Sequence, residues 1–268
     1  MAKKLFISDL DGTLLKSEKN DSKNISIKNI KTIQDFVRDG NSFAVATARG
    51  IDYKNELEEI LKIKVDYIGN NGSCTMIAGK MKVHSIPYEL VKQIIKFTLE
   101  KNLDVTITLN TRNEFFYIPT NKFPFNSSGR INTEFIVKNG IVYDETFDLE
   151  ITKVMFFVAE NKALEIKEIL MNQFNESLEI VLSDTDIIDM TYKGCNKGKG
   201  VLELIETYQL NREQVAVVGD TENDVSMFQC INQSYCMNHA MDHVKKEAAM
   251  IVQSVDEALR HFQKKVSE

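Results

Sequence analysis

Short apolar runs that alternate with segments of helical periodicity constrain the fold of this chain most strongly. The runs at residues 5–7 and 43–46 are typical of buried strands. Between them, apolar residues recur every three or four positions from Ile27 to Val37, after the candidate helix cap Ser26. A strand, helix, strand unit of this kind favours a parallel sheet with helices on its faces, whose ligands lie beyond the carboxyl ends of the strands. We therefore expect functional residues directly after the apolar runs.

The same alternation returns later in the chain, but the middle of the sequence has a different pattern. Apolar runs at 65–68 and 215–218 predict further buried strands. From about Cys74, short alternating runs begin with a hairpin predicted around Gly79, which indicates antiparallel pairing. The predicted fold class is therefore α/β: a doubly wound, parallel-sheet, Rossmann-like core with an inserted α+β domain. We place the core at 1–76 and 189–268 and the inserted domain at 77–188.

Residues 119–133 are the longest loop-like stretch, with two prolines, several Asn and Ser residues and a glycine. We expect this stretch to be mobile and to line a substrate entrance. Its charged and aromatic side chains either touch a substrate or belong to a solvated loop; they are Lys122, Phe123, Phe125 and Arg130. A strand is predicted directly after it, at 134–137.

Composition excludes several classes of protein. The chain has 268 residues, 43% of them hydrophobic, which is enough for a buried core and about one or two domains. A net charge of −6 argues against a nucleic-acid-binding surface. The 4 cysteines show neither paired metal-ligand spacing nor a disulfide framework. Without a secretory signal or an apolar run of roughly 20 residues, we expect a cytoplasmic protein that does not span a membrane. The sequence carries no signal for an oligomeric state.

Two acidic residues follow the first apolar run. Asp9 and Asp11, in the segment Asp-Leu-Asp-Gly-Thr, stand two positions apart, and an extended backbone points both to the same side. Crowded carboxylates need a cation or a proton to relieve their repulsion, and hard oxygen ligands suit Mg²⁺. The structural alternative is a strand that ends in an Asx-type turn, with Gly12 in an unusual backbone conformation.

A second acidic cluster follows the run at 215–218, in the segment Gly-Asp-Thr-Glu-Asn-Asp at 219–224. Alone, it is also typical of a helix start capped by Asp220 or Thr221. Placing both acidic clusters at one edge of the sheet would be unfavourable without a divalent cation or a protonated carboxyl group. The two clusters together therefore favour a metal site.

Two further polar positions are candidates for phosphate binding. Thr47 ends the second apolar run, in Thr-Ala-Arg-Gly, where we expect a helix to begin and its N–H groups to bind an anion; a plain helix cap is the alternative. Lys197 precedes another predicted helix and either binds a phosphate as a point charge or is a solvated surface lysine.

Taken together, these segments resemble the haloacid dehalogenase-like phosphohydrolases, in particular the Cof-type sugar-phosphatase branch with a large inserted cap. The resemblance is carried by the acidic segment at 9–13, Thr47, the Asn-Asn-Gly turn at 70–72, Lys197 and the segment at 219–224. It covers nearly the whole chain.

The resemblance implies a Mg²⁺-dependent phosphoric monoester hydrolase acting on small phosphorylated metabolites. Asp9 would attack phosphorus, and Asp11 would protonate the leaving oxygen and then activate water against the aspartyl-phosphate. Mg²⁺ would be held by the Asp9 carboxylate, the Asp11 backbone carbonyl and Asp220, with support from Asp224. The residues implied to bind the substrate are Thr47, Arg49, Lys197 and Asn223.

The sequence departs from the family pattern at two places. Thr47-Ala48-Arg49 replaces Thr-Gly-Arg, and His239 stands where an asparagine is expected; His239 either contacts substrate or has a structural role. Two other functions are alternatives for the same segments. A phosphomutase or phosphotransferase would pass the phosphoryl group to a second hydroxyl, and a non-catalytic metabolite-binding protein would retain the fold alone.

Overall fold

The computed structural model describes residues 3–15, 24–112, 115–118 and 150–265. The chain forms two compact units. The core unit joins Met1–Lys82 to Asn196–Glu268, and the inserted unit is Val83–Cys195. The loop-like stretch at 119–133, with its four candidate side chains, and the strand predicted at 134–137 lie outside the described residues. Among the described residues, no helix is both long and apolar enough to cross a bilayer.

The core unit is built on an eight-stranded sheet in the order β13-β12-β11-β1-β2-β3-β4-β5. Neighbouring strands from β13 to β3 run parallel, and β4 pairs antiparallel with β3. Its strands are β1 (Leu5–Ser8), β2 (Ser42–Ala46), β3 (Asp66–Gly69), β4 (Cys74–Ile77), β5 (Lys80–Val83), β11 (Val215–Gly219), β12 (Ser234–Met237) and β13 (Met250–Val252). Its helices are α1 (Ile27–Arg38), α2 (Tyr53–Leu61), α5 (Lys197–Tyr208), α6 (Val225–Cys230), α7 (Asp242–Lys245) and α8 (Val255–Lys265).

Apolar side chains cover both faces of this sheet, which confirms the doubly wound α/β core. Along β1, Phe6 points into one apolar cluster while Leu5 and Ile7 point into the other, as the alternation of a strand requires. The first cluster includes residues of α1, α2 and α8, and the second includes residues of α5 and α6. Ser26 caps α1, since its side chain accepts a hydrogen bond from the Asn29 N–H at 3.1 Å.

The inserted unit is an α+β unit with its own core. Its five-stranded sheet has the order β7-β6-β8-β10-β9, and its described pairs are antiparallel. One face of this sheet packs apolar side chains against the helices. The strands are β6 (Val105–Asn110), β7 (Phe115–Ile118), β8 (Lys153–Val158), β9 (Leu178–Asp184) and β10 (Ile187–Tyr192); the helices are α3 (Tyr88–Glu100) and α4 (Ala163–Phe174).

The inserted unit begins and ends later in the chain than the predicted range, 77–188. The hairpin of β4 and β5 extends the core sheet, because β4 pairs with β3. At the other end, β10 does not return to the parallel sheet: it pairs antiparallel with β8 and β9. Both differences arise because the tertiary structure determines which strands pair. The apolar pattern of a strand does not specify its partner.

Candidate active site

The central strands of the core sheet bring the two acidic segments together. Asp9 directly follows β1, and its N–H donates to the carbonyl of Val218 in β11 at 2.9 Å. Asp220 directly follows β11. Because β1 and β11 are parallel neighbours, their carboxyl ends meet at one edge of the sheet. Oxygens of Asp9, Asp220 and Asp224 lie within 4.8 Å of one another, and all three residues are buried.

Lys197, the first residue of α5, lies buried inside this acidic cluster. Its Nζ donates to Oδ1 of Asp9 at 2.7 Å and to Oδ1 of Asp224 at 2.6 Å. Burial by itself lowers the pKa of Lys197, but the two carboxylates outweigh it and the net pKa is raised, so the ammonium stays charged. Lys197 is therefore not a solvated surface lysine.

The acidic cluster brings three carboxyl groups together beside one ammonium group. Burial raises the pKa of Asp9 well above its ordinary value; the Lys197 ammonium opposes the shift, and neighbouring carboxylates add to it. The pKa of Asp224 is raised for the same main reason, burial. Three buried carboxylates beside one ammonium form a set of hard oxygen donors that fits a divalent cation such as Mg²⁺.

Asp224 mainly holds the loop in place. Its Oδ2 accepts hydrogen bonds from the N–H groups of Asp220 and Thr221 at 2.8 and 3.0 Å, while Lys197 occupies its other oxygen. Both oxygens of Asp224 therefore have protein partners, and the supporting role expected for Asp224 at a Mg²⁺ site stays a prediction.

Two contacts that the sequence analysis did not anticipate orient Asp220. The hydroxyl of Thr13 donates to Oδ1 of Asp220 at 2.6 Å, and Nε2 of His239 lies 3.3 Å from Oδ2. The hydrogen bond with Asp220 raises the pKa of His239, against the opposing effect of burial. Gly12 lies close by at φ +83°, and a Cβ there would fall 2.3 Å from Oδ2 of Asp220. A side chain at position 12 would therefore displace the carboxylate.

The side chain of Asp11 lies outside the acidic cluster. Its two oxygens accept hydrogen bonds from Nε and Nη2 of Arg49 at 2.8 and 2.6 Å, a two-pronged ion pair. The guanidinium of Arg49 also stacks over the ring of Tyr53, 4.4 Å from its centroid. The sequence named both Asp11 and Arg49 as site residues but did not predict that they pair, since they belong to different loops.

No helix begins at Thr47, contrary to the expectation from sequence, and Thr47 is therefore not a helix cap. The helix after β2, α2, begins only at Tyr53. Instead the Thr47 hydroxyl accepts a hydrogen bond from the N–H of Arg49 at 3.1 Å, which closes a small turn at the end of the strand. An anion site at this position would therefore be formed by a loop and not by the start of a helix.

Asn223 lies in the same region, buried and joined to the turn at 70–72. Its Nδ2 donates to Oδ1 of Asn71 at 3.1 Å. The structure thus brings Asp9, Asp220, Asp224, Lys197 and Asn223 close to one another through successive contacts.

Known proteins resemble this chain in sequence. The sequence matches the family of haloacid dehalogenase-like hydrolases over residues 6–259. Two Bacillus subtilis proteins named 5-amino-6-(5-phospho-D-ribitylamino)uracil phosphatases are similar to it: one is 27% identical, covering 97% of this chain and 95% of its own, and another is 24% identical, covering 95% and 94%.

Solved structures show the same fold. A haloacid dehalogenase-like hydrolase from B. subtilis has a TM-score of 0.78 at 20% identity, covering 96% of this chain and 99% of its own. A sugar phosphatase described as subclass IIB of that superfamily has a TM-score of 0.74 at 21% identity, covering 97% and 99%. The family match spans both halves of the core unit and the whole insertion. This chain is therefore a member of the haloacid dehalogenase-like hydrolase family.

Proposed function

We propose that the protein is a Mg²⁺-dependent phosphatase that hydrolyses small phosphorylated metabolites through a phosphoryl group carried on Asp9. The observation that carries the proposal is the pairing of Lys197 with Asp9 inside a buried acidic cluster. The relatives named as phosphatases support the reaction class.

Asp9 must be ionised to attack phosphorus. Burial is the larger effect and raises its pKa, while the Lys197 ammonium, hydrogen-bonded at 2.7 Å, favours the charged form, as a bound divalent cation would. In the first step a carboxylate oxygen of Asp9 would bond to phosphorus as the bond to the leaving alcohol breaks. Mg²⁺, bound by Asp9, the Asp11 carbonyl and Asp220, would supply positive charge to the phosphate oxygens.

Asp11 is the candidate acid and base. In the proposed sequence it gives a proton to the leaving oxygen and then takes one from the water that cleaves the aspartyl-phosphate. Both of its oxygens are held by Arg49. Arg49 must therefore release Asp11 before it can act, and a phosphate that Arg49 binds would compete for the guanidinium.

The substrate class is also a proposal. The named relatives act on a phosphorylated ribitylaminouracil or on sugar phosphates. Both are phosphomonoesters of small polyhydroxylated compounds, so both belong in a substrate screen. We also propose that the inserted unit is a cap that selects the substrate.

The test is phosphate release from p-nitrophenyl phosphate and from a panel of these two substrate classes, with Mg²⁺ and with a chelator. We expect Mg²⁺-dependent release and a loss of about 10³-fold or more for Asp9→Asn, by analogy with removal of other covalent nucleophiles. Mass spectrometry after rapid acid quenching should find a phosphorylated peptide that contains residue 9 only in the unsubstituted enzyme.

Three results would contradict the proposal: no release from any substrate of the panel, turnover that a chelator leaves unchanged, or full activity in Asp9→Asn. Product analysis separates hydrolysis from phosphoryl transfer. A phosphotransferase would yield a new phosphate ester in place of inorganic phosphate.

A further inference from the structure

The Asn-Asn-Gly turn at Asn70–Gly72, directly after β3, contacts the loops that carry the candidate phosphate-binding residues. The N–H of Asn71 donates to the carbonyl of Thr47 at 3.0 Å. On the other side, a Cβ added to Gly72 would lie 2.2 Å from the carbonyl oxygen of Asn196, the residue before Lys197. The turn therefore packs against the backbone at both of these loops.

The backbone conformation of Asn71 does not by itself account for an asparagine at this position. Its φ of 53° and ψ of 36° place it in the left-handed region, which glycine adopts most easily and asparagine tolerates. The link to Thr47 uses the backbone N–H, which any residue except proline supplies. Neither the left-handed backbone nor the hydrogen bond to Thr47 requires an asparagine side chain. Any role that is specific to asparagine must therefore depend on the hydrogen bonds of its side chain.

The Asn71 side chain bonds to the amide of Asn223. Its Oδ1 accepts from Nδ2 of Asn223 at 3.1 Å, while the hydroxyl of Thr221 donates to Oδ1 of Asn223 at 2.8 Å. A 180° flip of the Asn223 amide would break both hydrogen bonds, so the two contacts define its orientation. The second N–H of Asn223 has no hydrogen-bond partner among the described residues, although Asn223 is only 5% exposed.

We propose that Asn71 is a positioning residue: it orients the amide of Asn223 so that one N–H remains for a phosphate oxygen. The inference rests on the proposed function, in which Asn223 binds the phosphate. Asn71 would act through Asn223 without contacting the phosphoryl group itself.

Asn71→Gly tests this directly, because glycine retains the left-handed backbone and the link to Thr47 while removing the acceptor. The matched control is Asn70→Gly, which removes a neighbouring buried side chain from a residue at φ 46°. The probe is inorganic phosphate, measured as a competitive inhibitor of p-nitrophenyl phosphate hydrolysis with Mg²⁺ present. We expect Asn71→Gly to weaken phosphate binding about five- to tenfold, the usual effect of one well-placed hydrogen bond, and Asn70→Gly to leave it unchanged.

A double-mutant cycle with Asn223→Ala separates positioning from a general loss of structure. If Asn71 acts through Asn223, Asn71→Gly has no further effect on phosphate affinity once Asn223 is alanine. Thr221→Val, which removes the donor at the other end of the same amide, should weaken phosphate binding as Asn71→Gly does. Thr221→Val also provides the test if Asn71→Gly does not fold.

Equal phosphate affinity in the Asn71→Gly and Asn70→Gly variants would overturn the inference, as would additive effects in the cycle or unchanged phosphate affinity in Thr221→Val. Failure of the unsubstituted protein to bind phosphate is a different result, because it would overturn the proposed function and the inference together.

Discussion

At the scale of single residues, the position of Asp220 in the acidic cluster depends on a hydrogen bond from Thr13 and on the absence of a side chain at Gly12. Thr13 donates to one oxygen of Asp220. Gly12 leaves the space that the other oxygen occupies. A change at position 12 therefore tests the site without removing any charged group.

Gly12→Ala should raise the Mg²⁺ concentration needed for half-maximal activity by roughly tenfold, the scale of effects seen when the groups that orient a metal ligand are lost. The reason is that the added Cβ, at 2.3 Å from Asp220 Oδ2, displaces the carboxylate. Measuring activity as a function of Mg²⁺ concentration gives the concentration for half-maximal activity in each variant.

Gly40→Ala is the control for Gly12→Ala, since Gly40 has nearly the same φ, +87°, and a Cβ there would meet no atom of the described residues within 4 Å. Both variants should lose about 1 kcal/mol of stability from the left-handed backbone. If the Mg²⁺ concentration for half-maximal activity rises equally in both variants, the effect of Gly12→Ala does not arise from displacement of the Asp220 carboxylate.

Several site residues were predictable from sequence, and their pairing was not. Asp9 and Asp220 follow apolar runs, so their placement at one edge of the sheet follows from local pattern and the rule for parallel strands. The ion pair of Asp11 with Arg49 and the bond between Asn71 and Asn223 join residues far apart in the chain. No local signal specifies such contacts, because they depend on how the loops fold over the sheet.

At the scale of secondary-structure elements, α2 is tied to the chain that follows it through Glu58. This carboxylate accepts hydrogen bonds from Lys54 in the same helix, from Lys64 at 2.6 Å and from the N–H of Val65 at 3.1 Å. Burial opposes ionisation, but these hydrogen bonds outweigh it and lower the pKa of Glu58 to about 2.

A carboxyl group whose pKa is lower in the folded state stabilises the protein above its unfolded-state pKa, and that stability is lost as the pH falls toward the folded-state value. For Glu58 the window runs from about pH 4.5 down to about 2. Glu58→Gln should therefore cost about 1–2 kcal/mol at neutral pH, and the difference from the unsubstituted protein should shrink below pH 4.5. Denaturant unfolding across this pH range measures it.

Glu59→Gln, at the exposed neighbouring position of α2, is the control and should change the stability at neutral pH by less than about 0.5 kcal/mol. A Glu58→Gln variant whose deficit stays constant between pH 3 and 7 would contradict the role given to its charge.

For most segments, local periodicity predicted whether a helix or a strand forms, but it did not predict which strands pair. The helix predicted from Ile27 to Val37 agrees with α1, whereas the predicted range of the insertion includes β5, which extends the core sheet. One signal was overlooked: Val255, Ala258, Leu259 and Phe262 recur at helical spacing and form the buried face of α8. The three-residue strand β13 is too short for its pattern to stand out.

At the scale of the whole molecule, a divalent cation at the acidic cluster would hold together two distant parts of the chain. We expect Mg²⁺ to slow hydrogen exchange in β1 and β11, which carry Asp9 and Asp220, and to leave the strands of the inserted unit unaffected. A ligand at 100 times its dissociation constant stabilises the bound fold by about 2.7 kcal/mol. Exchange mass spectrometry with Mg²⁺ and with a chelator measures the effect; identical exchange of β1 and β11 under the two conditions would contradict it.

The pairing of β1 with β11 also has a consequence for how the protein is made. Leu5 pairs with Val215, so one edge of β1 has no partner until the ribosome has synthesised the complete insertion and most of the chain. Exposed strand edges are sites of aggregation. A message truncated shortly before codon 215 would therefore give a chain that contains the entire inserted unit and the first two aspartates, yet has an open sheet edge for chaperones or proteases to recognise.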